Sequence, residues 1–350
     1  MATLKEIAQA AHVSMATVSN VINGNHHKVS SETVERVEKL AREMGYVPNQ
    51  AARSLAQRES RFIAIISQAG KGDNILTNPY NAQYIGALTV DLHEKGYYPL
   101  IRFTNDFKDI DTDLRGWNVA GAIFNGSYSR YLKQIRSLPS IPIVFTDCYF
   151  RVPGINHVGV DDDMGGQLAG EYLGKMGHRK VAFLAADLDS SEVDQHRRAG
   201  FEAGLKEYDV ELPDRWTFRH ADIRPGTEYT EALYQELYSA MQTEDRPTAF
   251  FCTSDAIALQ LHRLMGRMSL RVPEDVSIIG FDDLPFTQQY SLPLTTIHQD
   301  VDQKAHLVVD MLSRHIQDKT LPSERTVVGV SLVERGSVRN LGTKEETARE

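Results

Sequence analysis

Residues 14–20 include several hydroxyl and amide side chains that can form hydrogen bonds, and none of these residues is charged. Val18, Val21 and Ile22 form an apolar stripe at helical spacing, so the other faces of this helix are open to a partner. A solvated surface helix would usually carry Glu and Lys there, whereas the residues here are Met15, Ala16, Thr17, Ser19 and Asn20. Hydroxyl, amide and methyl groups of this kind contact phosphates and base edges in a DNA groove. The pattern therefore favours a DNA-reading helix over an ordinary small helical bundle.

Three helical patterns in residues 1–48 position these side chains. The first repeats apolar residues at positions 4, 7, 8 and 11, and the chain then turns. Ser14 is a good N-cap for the second helix, over residues 15–22. Ser30 or Ser31 caps a third helix, which buries residues 34, 37, 40 and 41 and stops at Gly45. We expect an all-α helix-turn-helix DNA-binding domain.

From residue 61 onwards, short apolar runs alternate with helices, as in parallel sheets covered on both faces. The predicted strands are 62–67, 98–103, 120–124, 143–147, 158–161, 181–185, 249–253 and 276–281. The predicted helices are 82–95, 130–138, 165–176, 196–208, 228–240 and 256–265. Residues 294–299 followed by a helix over 303–317 indicate a return crossing. The chain from residue 61 onwards is too long to form a single sheet with its helices, so we expect two doubly wound α/β lobes.

Charge is distributed unevenly along the 350 residues. The first 58 residues hold seven Lys or Arg and five Glu, a net charge of +2, whereas the whole chain carries −9. DNA responds to the local surface rather than to the total charge, so a mildly basic head on an acidic body permits DNA binding.

Several protein classes are excluded by what the sequence lacks. No apolar run approaches the roughly 20 residues that span a bilayer, and the N-terminus does not resemble a secretory signal, so we expect a cytoplasmic protein with no membrane partner. Cys148 and Cys252 are too few for a disulfide scaffold or a zinc cluster. The sequence contains no P-loop, HExxH or GxSxG motif, so we expect no enzyme, no catalytic residue, no metal and no cofactor.

Both parts of the chain, over residues 2–338, resemble LacI/GalR-type bacterial transcription repressors. Supporting signatures in the body are GHR at 177–179, RRAGF at 197–201, RPTA at 246–249, VPEDVS at 272–277, GFD at 280–282, LTTI at 294–297 and LVER at 332–335. The resemblance implies a homodimer or tetramer, associated with the bacterial nucleoid, with a periplasmic-binding-protein-like (type I) core. Its expected parts are a hinge helix and linker (49–60), a core (61–340) and a flexible tail (341–350). Lobe one is expected at 61–160 and 293–320, and lobe two at 161–292 and 321–340.

The resemblance also implies a pseudo-palindromic double-stranded operator as the DNA partner. Met15, Ala16 and Asn20 are expected at base edges, where Asn pairs with adenine and Met or Ala touches a thymine methyl. Candidates for phosphate contacts are Ser14, Thr17, Ser19, Asn25 and Ser31, and Ser14 and Ser31 could also act as helix caps. Residues 24–28 are one residue longer than the family pattern, with His26 and His27 expected to be solvated or to face phosphate.

Residues 49–57 resemble the family's hinge helix, which is too short to be stable alone and is expected to fold on DNA. Leu55 is expected to wedge into a base step from the minor groove. The expected DNA contacts in this segment are Asn49, Ala52, Arg53, Leu55 and Ala56.

A ligand site is expected at the carboxyl ends of the strands, between the lobes. Asp147, Asp161, Asp255 and Asp282 lie at or just beyond the ends of predicted strands. Asp161 and Asp255 are at least as well explained as helix caps, and capping also explains Asp161-Asp162-Asp163 better than a metal cluster. The resemblance implies that Arg197 and Asp282 contact the ligand. Weaker candidates are Tyr80, Asn81, Asn125, Asp147, Ser191, Asp222 and Asp255. Ile223 stands where several relatives have a stacking aromatic, so Tyr80, Tyr149 or Phe150 is expected to supply the ring contact.

The sequence thus predicts a repressor of carbohydrate-utilisation genes whose operator affinity is changed allosterically by a small sugar-type effector. Two alternatives stay open. One is a global catabolite-control regulator that uses a phosphorylated carrier protein as co-repressor. The other, of a different class, is a sugar-binding solute receptor, against which the DNA-binding head argues.

Overall fold

The computed structural model describes residues 2–46, 60–69, 74–126, 128, 131–135, 138, 141–149, 153–219, 230–288 and 293–342. Residues up to Ser60 and residues from Arg61 onwards form separate compact units. None of the helices in these described ranges is both long and apolar enough to cross a membrane.

The described part of the first unit contains three α-helices, α1 (Leu4–Ala11), α2 (Met15–Ile22) and α3 (Ser31–Glu43). A capping box of Thr3 and Glu6 starts α1. Ser14 starts α2, as predicted, because its Oγ accepts a hydrogen bond from the Thr17 amide at 3.0 Å. The core buries apolar side chains from all three helices, namely Ile7, Ala8, Ala11, Val18, Val21, Val37 and Ala41.

The end of α3 follows the sequence prediction at Gly45. Gly45 has φ +62°, a left-handed conformation that glycine adopts without steric cost. The Gly45 amide donates to the Arg42 carbonyl at 3.1 Å and the Tyr46 amide donates to the Ala41 carbonyl at 2.9 Å. This paired arrangement satisfies carbonyls that the helix itself leaves open and terminates it there.

A six-stranded parallel sheet forms the first lobe of the second unit, in the order β11-β5-β4-β3-β1-β2. Its strands are β1 (Phe62–Ser67), β2 (Tyr98–Phe103), β3 (Gly121–Asn125), β4 (Ile143–Thr146), β5 (Asn156–Val160) and β11 (Arg325–Val328). Helices α4 (Pro79–Glu94) and α11 (Val301–Gln317) pack on one face and α5 (Phe107–Gly116) on the other. A short helix, α6 (Leu132–Ile135), precedes β4.

A second six-stranded sheet forms the other lobe, in the order β12-β10-β9-β8-β6-β7. Its strands are β6 (Val181–Ala185), β7 (Thr217–Arg219), β8 (Ala249–Cys252), β9 (Ser277–Asp282), β10 (Thr295–Gln299) and β12 (Val330–Val333). Helices α7 (Asp162–Lys175) and α8 (Glu192–Lys206) cover one face, and α9 (Glu231–Met241) and α10 (Asp255–Arg267) cover the other. All its strand pairs are parallel except β10 with β12.

The two doubly wound lobes confirm the predicted fold class, but the assignment of the C-terminal segments to the lobes needs correction. Strand β10 belongs to the second sheet, although residues 293–320 were expected in lobe one. Strand β11 belongs to the first sheet, although residues 321–340 were expected in lobe two. The chain therefore passes between the lobes after β5, after β10 and between β11 and β12.

Helices α7 and α8 approach closely enough for their backbones to touch. A Cβ added at Gly200 would lie 1.9 Å from the Asp163 carbonyl oxygen, and one added at Gly204 would lie 2.2 Å from the Gln167 carbonyl oxygen. On the facing helix, a Cβ at Gly166 would lie 2.1 Å from the Arg197 carbonyl oxygen. Only glycine fits at these positions, and the contact brings the first turn of α7 next to the second turn of α8.

We predict that Gly200→Ala lowers the free energy of unfolding by about 3 kcal/mol, because the added methyl meets rigid backbone. Gly266→Ala is the matched control, since Gly266 lies in α10 with nothing within 4 Å of the added carbon. That change should stabilise the protein by about 0.5 to 1 kcal/mol through helix propensity. Urea unfolding of both variants measures the difference, and equal effects would contradict the packing described.

Candidate functional site

The exposed face of α2 carries the side chains that the sequence analysis assigned to base edges. Met15 is 55% exposed, which is unusual for a large apolar side chain, and Ala16 is also exposed. Asn20 is half-buried on the same helix. This short, uncharged surface has the shape and chemistry of a helix that enters the major groove.

The residues assigned to phosphate contact lie around that helix. Thr17 and Ser19 are half-buried, and the side chains of Ser14, Asn25 and Ser31 are exposed. The N-cap of α3 is Ser30, one of the two predicted residues, but its Oγ pairs with the Thr33 hydroxyl at 2.9 Å and makes no cap hydrogen bond to the helix backbone. Ser31 is therefore the first residue of α3 and is not its cap.

The segment that is longer than the family pattern forms a short 3₁₀ turn at His26–Lys28. His26 Nε2 lies 3.2 Å from the Val21 carbonyl oxygen and 3.9 Å from a Glu38 carboxylate oxygen. His27 and Lys28 are exposed. The predicted hinge contacts Asn49, Ala52, Arg53, Leu55 and Ala56 lie outside the described residues.

A cavity of about 360 Å³ opens between the two lobes at the carboxyl ends of their strands. Its wall in the first lobe comes from the ends of β1, β3 and β4 and from the start of α4, and its wall in the second comes from the ends of β6, β8, β9 and β10 and from α8. Seven of the nine predicted effector residues line it: Tyr80, Asn81, Asn125, Asp147, Ser191, Arg197 and Asp282.

Of the other two predicted effector residues, only Asp255 is described, and it does not line the cavity. Asp222, with Ile223 and Phe150, lies outside the described residues. Asp255 is completely buried behind the wall, where it accepts hydrogen bonds from the Thr296 hydroxyl at 2.6 Å and the Leu284 amide at 2.9 Å. The structure therefore corrects the assignment of Asp255 to the effector site. Its carboxylate joins α10 to β10 and to the loop after β9.

Arg197 is the centre of the wall in the second lobe. Its Nε donates to Asp162 Oδ1 at 2.7 Å, one terminal nitrogen donates to the Thr253 carbonyl at 2.5 Å, and its guanidinium stacks 3.4 Å from the centre of the Phe281 ring. Burial disfavours the cation, but the carboxylates of Asp162 and Asp282 outweigh it and hold the pKa of Arg197 above its usual value. This residue is a rigid, permanently charged donor at the cavity surface.

The same Asp162 carboxylate also contacts the first lobe. The Tyr149 hydroxyl donates to Asp162 Oδ2, and the Tyr149 ring stacks on His196 of α8 with the ring centres 3.7 Å apart. Tyr149 follows β4, so this contact joins the lobes beside the cavity. Of the two predicted ring contacts that the structure describes, Tyr80 lines the cavity and Tyr149 does not.

Backbone strain marks both walls. Asp147 has φ +57° and Asp282 has φ +121°, conformations that cost most side chains about 1–3 kcal/mol. Gln299 Nε2 donates to Asp282 Oδ1 at 2.6 Å and fixes that carboxylate. Burial raises the pKa of Asp282, an effect that Arg197 and the bond from Gln299 oppose.

Sequence reasoning missed two residues that organise the site. Asp162 was assigned to helix capping and Lys304 was not considered, because both lie in the first turn of a helix and their partners are distant in the sequence. Lys304 is completely buried, and its Nζ donates to Asp147 Oδ1 at 2.5 Å and to the Tyr80 oxygen at 2.7 Å. A Lys in the first turn of a helix after a buried strand is the only signal that could have found it.

The three consecutive aspartates at the start of α7 have separate roles. Asp161 caps the helix, as expected, by accepting from the Met164 amide at 3.1 Å. Asp162 pairs with Arg197, and Asp163 lies 2.8 Å from His196 Nδ1. These roles leave the three carboxylates directed at different partners.

Comparison with known proteins identifies both units. The family described as bacterial regulatory proteins of the lacI family matches residues 3–49, and the periplasmic binding protein-like domain matches residues 171–338. The ribose operon repressor of Haemophilus influenzae is 31% identical over 346 residues, which cover 97% of this chain and 100% of that protein. The chain belongs to the LacI family.

Other LacI-family proteins extend the comparison over the full length. The HTH-type transcriptional repressor PurR of Mannheimia succiniciproducens is 31% identical over 349 residues, with 97% of this chain and 100% of that protein covered. A crystal structure of the Lac repressor dimer bound to operator and the anti-inducer ONPF superposes with a TM-score of 0.82 and 26% identity, over 97% of this chain and 99% of that chain. This LacI-family chain is a DNA-binding transcriptional regulator, as the sequence predicted.

We predict that Ser14→Ala destabilises α2 by about 1 kcal/mol, because the Thr17 amide loses its acceptor. Ser30→Ala is the matched control, since Ser30 makes no cap hydrogen bond and should cost less than half as much. Hydrogen exchange of the head amides in the full chain, without DNA, measures both local stabilities. An equal loss in the two variants would contradict the capping geometry.

Proposed function

We propose that this LacI-family regulator is a homodimeric repressor of carbohydrate-utilisation genes, and that a small sugar in the cleft changes its affinity for a pseudo-palindromic operator. The observation that carries the proposal is the cavity between the lobes. It is lined by carboxylate, amide, hydroxyl and guanidinium groups on both walls. A sugar needs such groups because each hydroxyl both donates and accepts hydrogen bonds.

The exposed face of α2 supports the DNA side of this proposal. Asn20 can pair with an adenine edge, and Met15 and Ala16 can contact thymine methyl groups. Two heads related by a two-fold axis would read two half-sites, so the operator would be nearly palindromic. We also propose that Leu55 wedges into the central base step from the minor groove.

We expect the purified protein to select a palindromic sequence from a random duplex library at moderate salt. Asn20→Ala should then weaken binding to that site by about 1–3 kcal/mol, because one base pair is no longer read. Binding to a scrambled duplex of equal length should be unchanged, since phosphate contacts carry no sequence information. Fluorescence anisotropy compares the two duplexes, and an equal loss on both would contradict the assignment of Asn20.

The lining of the cavity favours a sugar over a purine base. The relatives' names point to both ligand classes, since they include a ribose operon repressor and a purine-type repressor. Among the described lining residues, Tyr80 is the only aromatic, whereas four aspartates and three asparagines present hydrogen-bonding groups. A planar base would need stacking surface on its faces, while a polyhydroxylated ring needs many acceptors.

We further propose that the cleft binds its ligand without converting it. Asp162 is paired with Arg197, Asp147 with Lys304, and Asp282 with Gln299. General acid–base chemistry requires carboxyl groups that can exchange protons with the substrate. Unchanged sugar, recovered after long incubation with pure protein, is the expected result.

Arg197→Ala should retain operator binding but lose the response to the sugar, because the guanidinium lies at the cavity and not in the head. Arg197→Lys keeps the charge but not the planar fork, so it should respond only weakly. Arg198→Ala is the matched control: Arg198 bonds Glu202 and Asp214 near the surface and does not line the cavity.

Operator titrations with and without D-ribose, D-glucose and D-galactose measure the responses of wild type and variants. We expect the sugar to change the operator affinity of wild type by about 5- to 150-fold, which is the typical range of allosteric coupling in proteins. A normal response of Arg197→Ala would show that the ligand binds elsewhere.

A further inference from the structure

Lys304 is a cation held entirely inside the wall of the cleft. It lies in the first turn of α11, directly after the chain crosses from β10 to the first lobe. Its exposed fraction is 0%, and its Nζ lies 5.0 Å from the centre of the Tyr84 ring and 5.4 Å from that of Tyr80. A buried ammonium is costly unless it is paired, so its partners decide what it does.

Both hydrogen-bond partners of Lys304 line the cavity. Asp147 Oδ1 accepts from Nζ at 2.5 Å, and the Tyr80 oxygen accepts at 2.7 Å. Because the Tyr80 oxygen already accepts from an ammonium, its own hydrogen is directed to another acceptor. Asp147 keeps a second carboxylate oxygen beside the one that Lys304 occupies. This wall thus presents one donor and one acceptor side by side.

The pairing also removes the net charge of this wall. Lys304 and Asp147 cancel each other, and the opposite wall offers no replacement cation. Among the described residues that line the cavity, Arg197 is the only Lys or Arg, and Asp162 and the Thr253 carbonyl already engage it. Asp187, Asp194 and Asp282 are further carboxyl groups on that wall. A carboxylate or phosphate ligand would meet carboxylates without an unpaired cation.

We propose that Lys304 is a positioning residue for effector binding: it fixes Asp147 as an acceptor and Tyr80 as a donor, cancels the charge of the Asp147 carboxylate, and so selects neutral polyhydroxylated ligands over anionic ones. The proposal rests on the proposed function, since it takes the cleft as the sugar site. It adds that the buried pair of Lys304 and Asp147, whose charges cancel, determines whether the cleft binds neutral or anionic ligands.

The test is a designed gain of function. Asp147→Asn removes the carboxylate but leaves the Lys304 ammonium beside the cavity, where it becomes available to an anion. D-Glucuronate and D-galacturonate are the probes, because each keeps the ring of a neutral sugar, D-glucose or D-galactose, and carries a carboxylate in place of its CH2OH group. We expect Asp147→Asn to bind at least one of these anions at least tenfold more tightly than wild type, measured by calorimetry and by the rise in Tm.

Two control variants separate this effect from a general loss of negative charge. Asp147→Asn/Lys304→Met lacks the ammonium and should lose the gain. Asp187→Asn removes another carboxylate that lines the cavity, one hydrogen-bonded to Ser190 rather than to a lysine, and should show no comparable gain. Operator binding by each variant without ligand shows that it is folded.

Three results would overturn the proposal. Wild type could bind the anions as tightly as Asp147→Asn, the double variant could keep the gain, or Asp187→Asn could gain as much. If the ion pair has only a structural role, the single variants should have a lower Tm and no new affinity for anions. That result would also overturn the proposal. If no neutral sugar changes operator binding by wild type, the proposed effector class fails, while the gain in Asp147→Asn still decides the role of Lys304.

Discussion

The buried ion pair between Arg197 and Asp162 is the interaction on which the ligand cleft depends. It exists because α7 and α8 touch through glycines, which brings the first turn of α7 within hydrogen-bonding distance of the second turn of α8. A buried pair of this kind contributes little net stability, but the loss of one partner costs about 3–5 kcal/mol because the other charge is left alone. The glycine contact therefore determines where the charged donor Arg197 lies in the cavity. The ion pair positions this side chain and adds little to the stability of the fold.

The pair also links the two lobes. Asp162 accepts from Arg197 on one oxygen and from Tyr149, which follows β4 of the first lobe, on the other. A ligand that contacts Arg197 therefore acts on a residue whose partner, Asp162, also bonds Tyr149 of the other lobe. Ligand binding and the arrangement of the two lobes are thus connected through the Asp162 carboxylate. A ligand shifts a conformational equilibrium only by binding its states differently, and a shared group of this kind provides such a difference.

Local sequence signals predicted much of the fold. Apolar runs placed β1, β2 and β6 at their observed bounds, and Ser14 and Gly45 marked the start of α2 and the end of α3. Short or amphipathic elements escaped detection: α5, β7, β11 and β12 were not predicted. β7 has only three residues and β11 only four, of which Arg325 and Val327 are exposed, so neither shows the apolar run of a buried strand.

The cleft could be predicted only in part. Carboxylates at strand ends and the family resemblance pointed to Asp147, Asp282 and Arg197, since the topology places strand ends at one edge. Asp255 stands in a similar sequence position but turns into the core. Lys304 and Asp162 were missed because their roles arise from pairing across the fold, and a single sequence contains no sign of which distant residue completes a buried charge.

A double-mutant cycle on Arg197 and Asp162 tests the central claim most directly. Arg197→Met, Asp162→Asn and the combined variant would be unfolded in urea, with Asn retaining an acceptor for Tyr149. Each single change should cost about 3–5 kcal/mol, and the combination should recover most of that loss because no buried charge remains unpaired. Losses that simply add would show that the two side chains act independently, contrary to this account of the cleft.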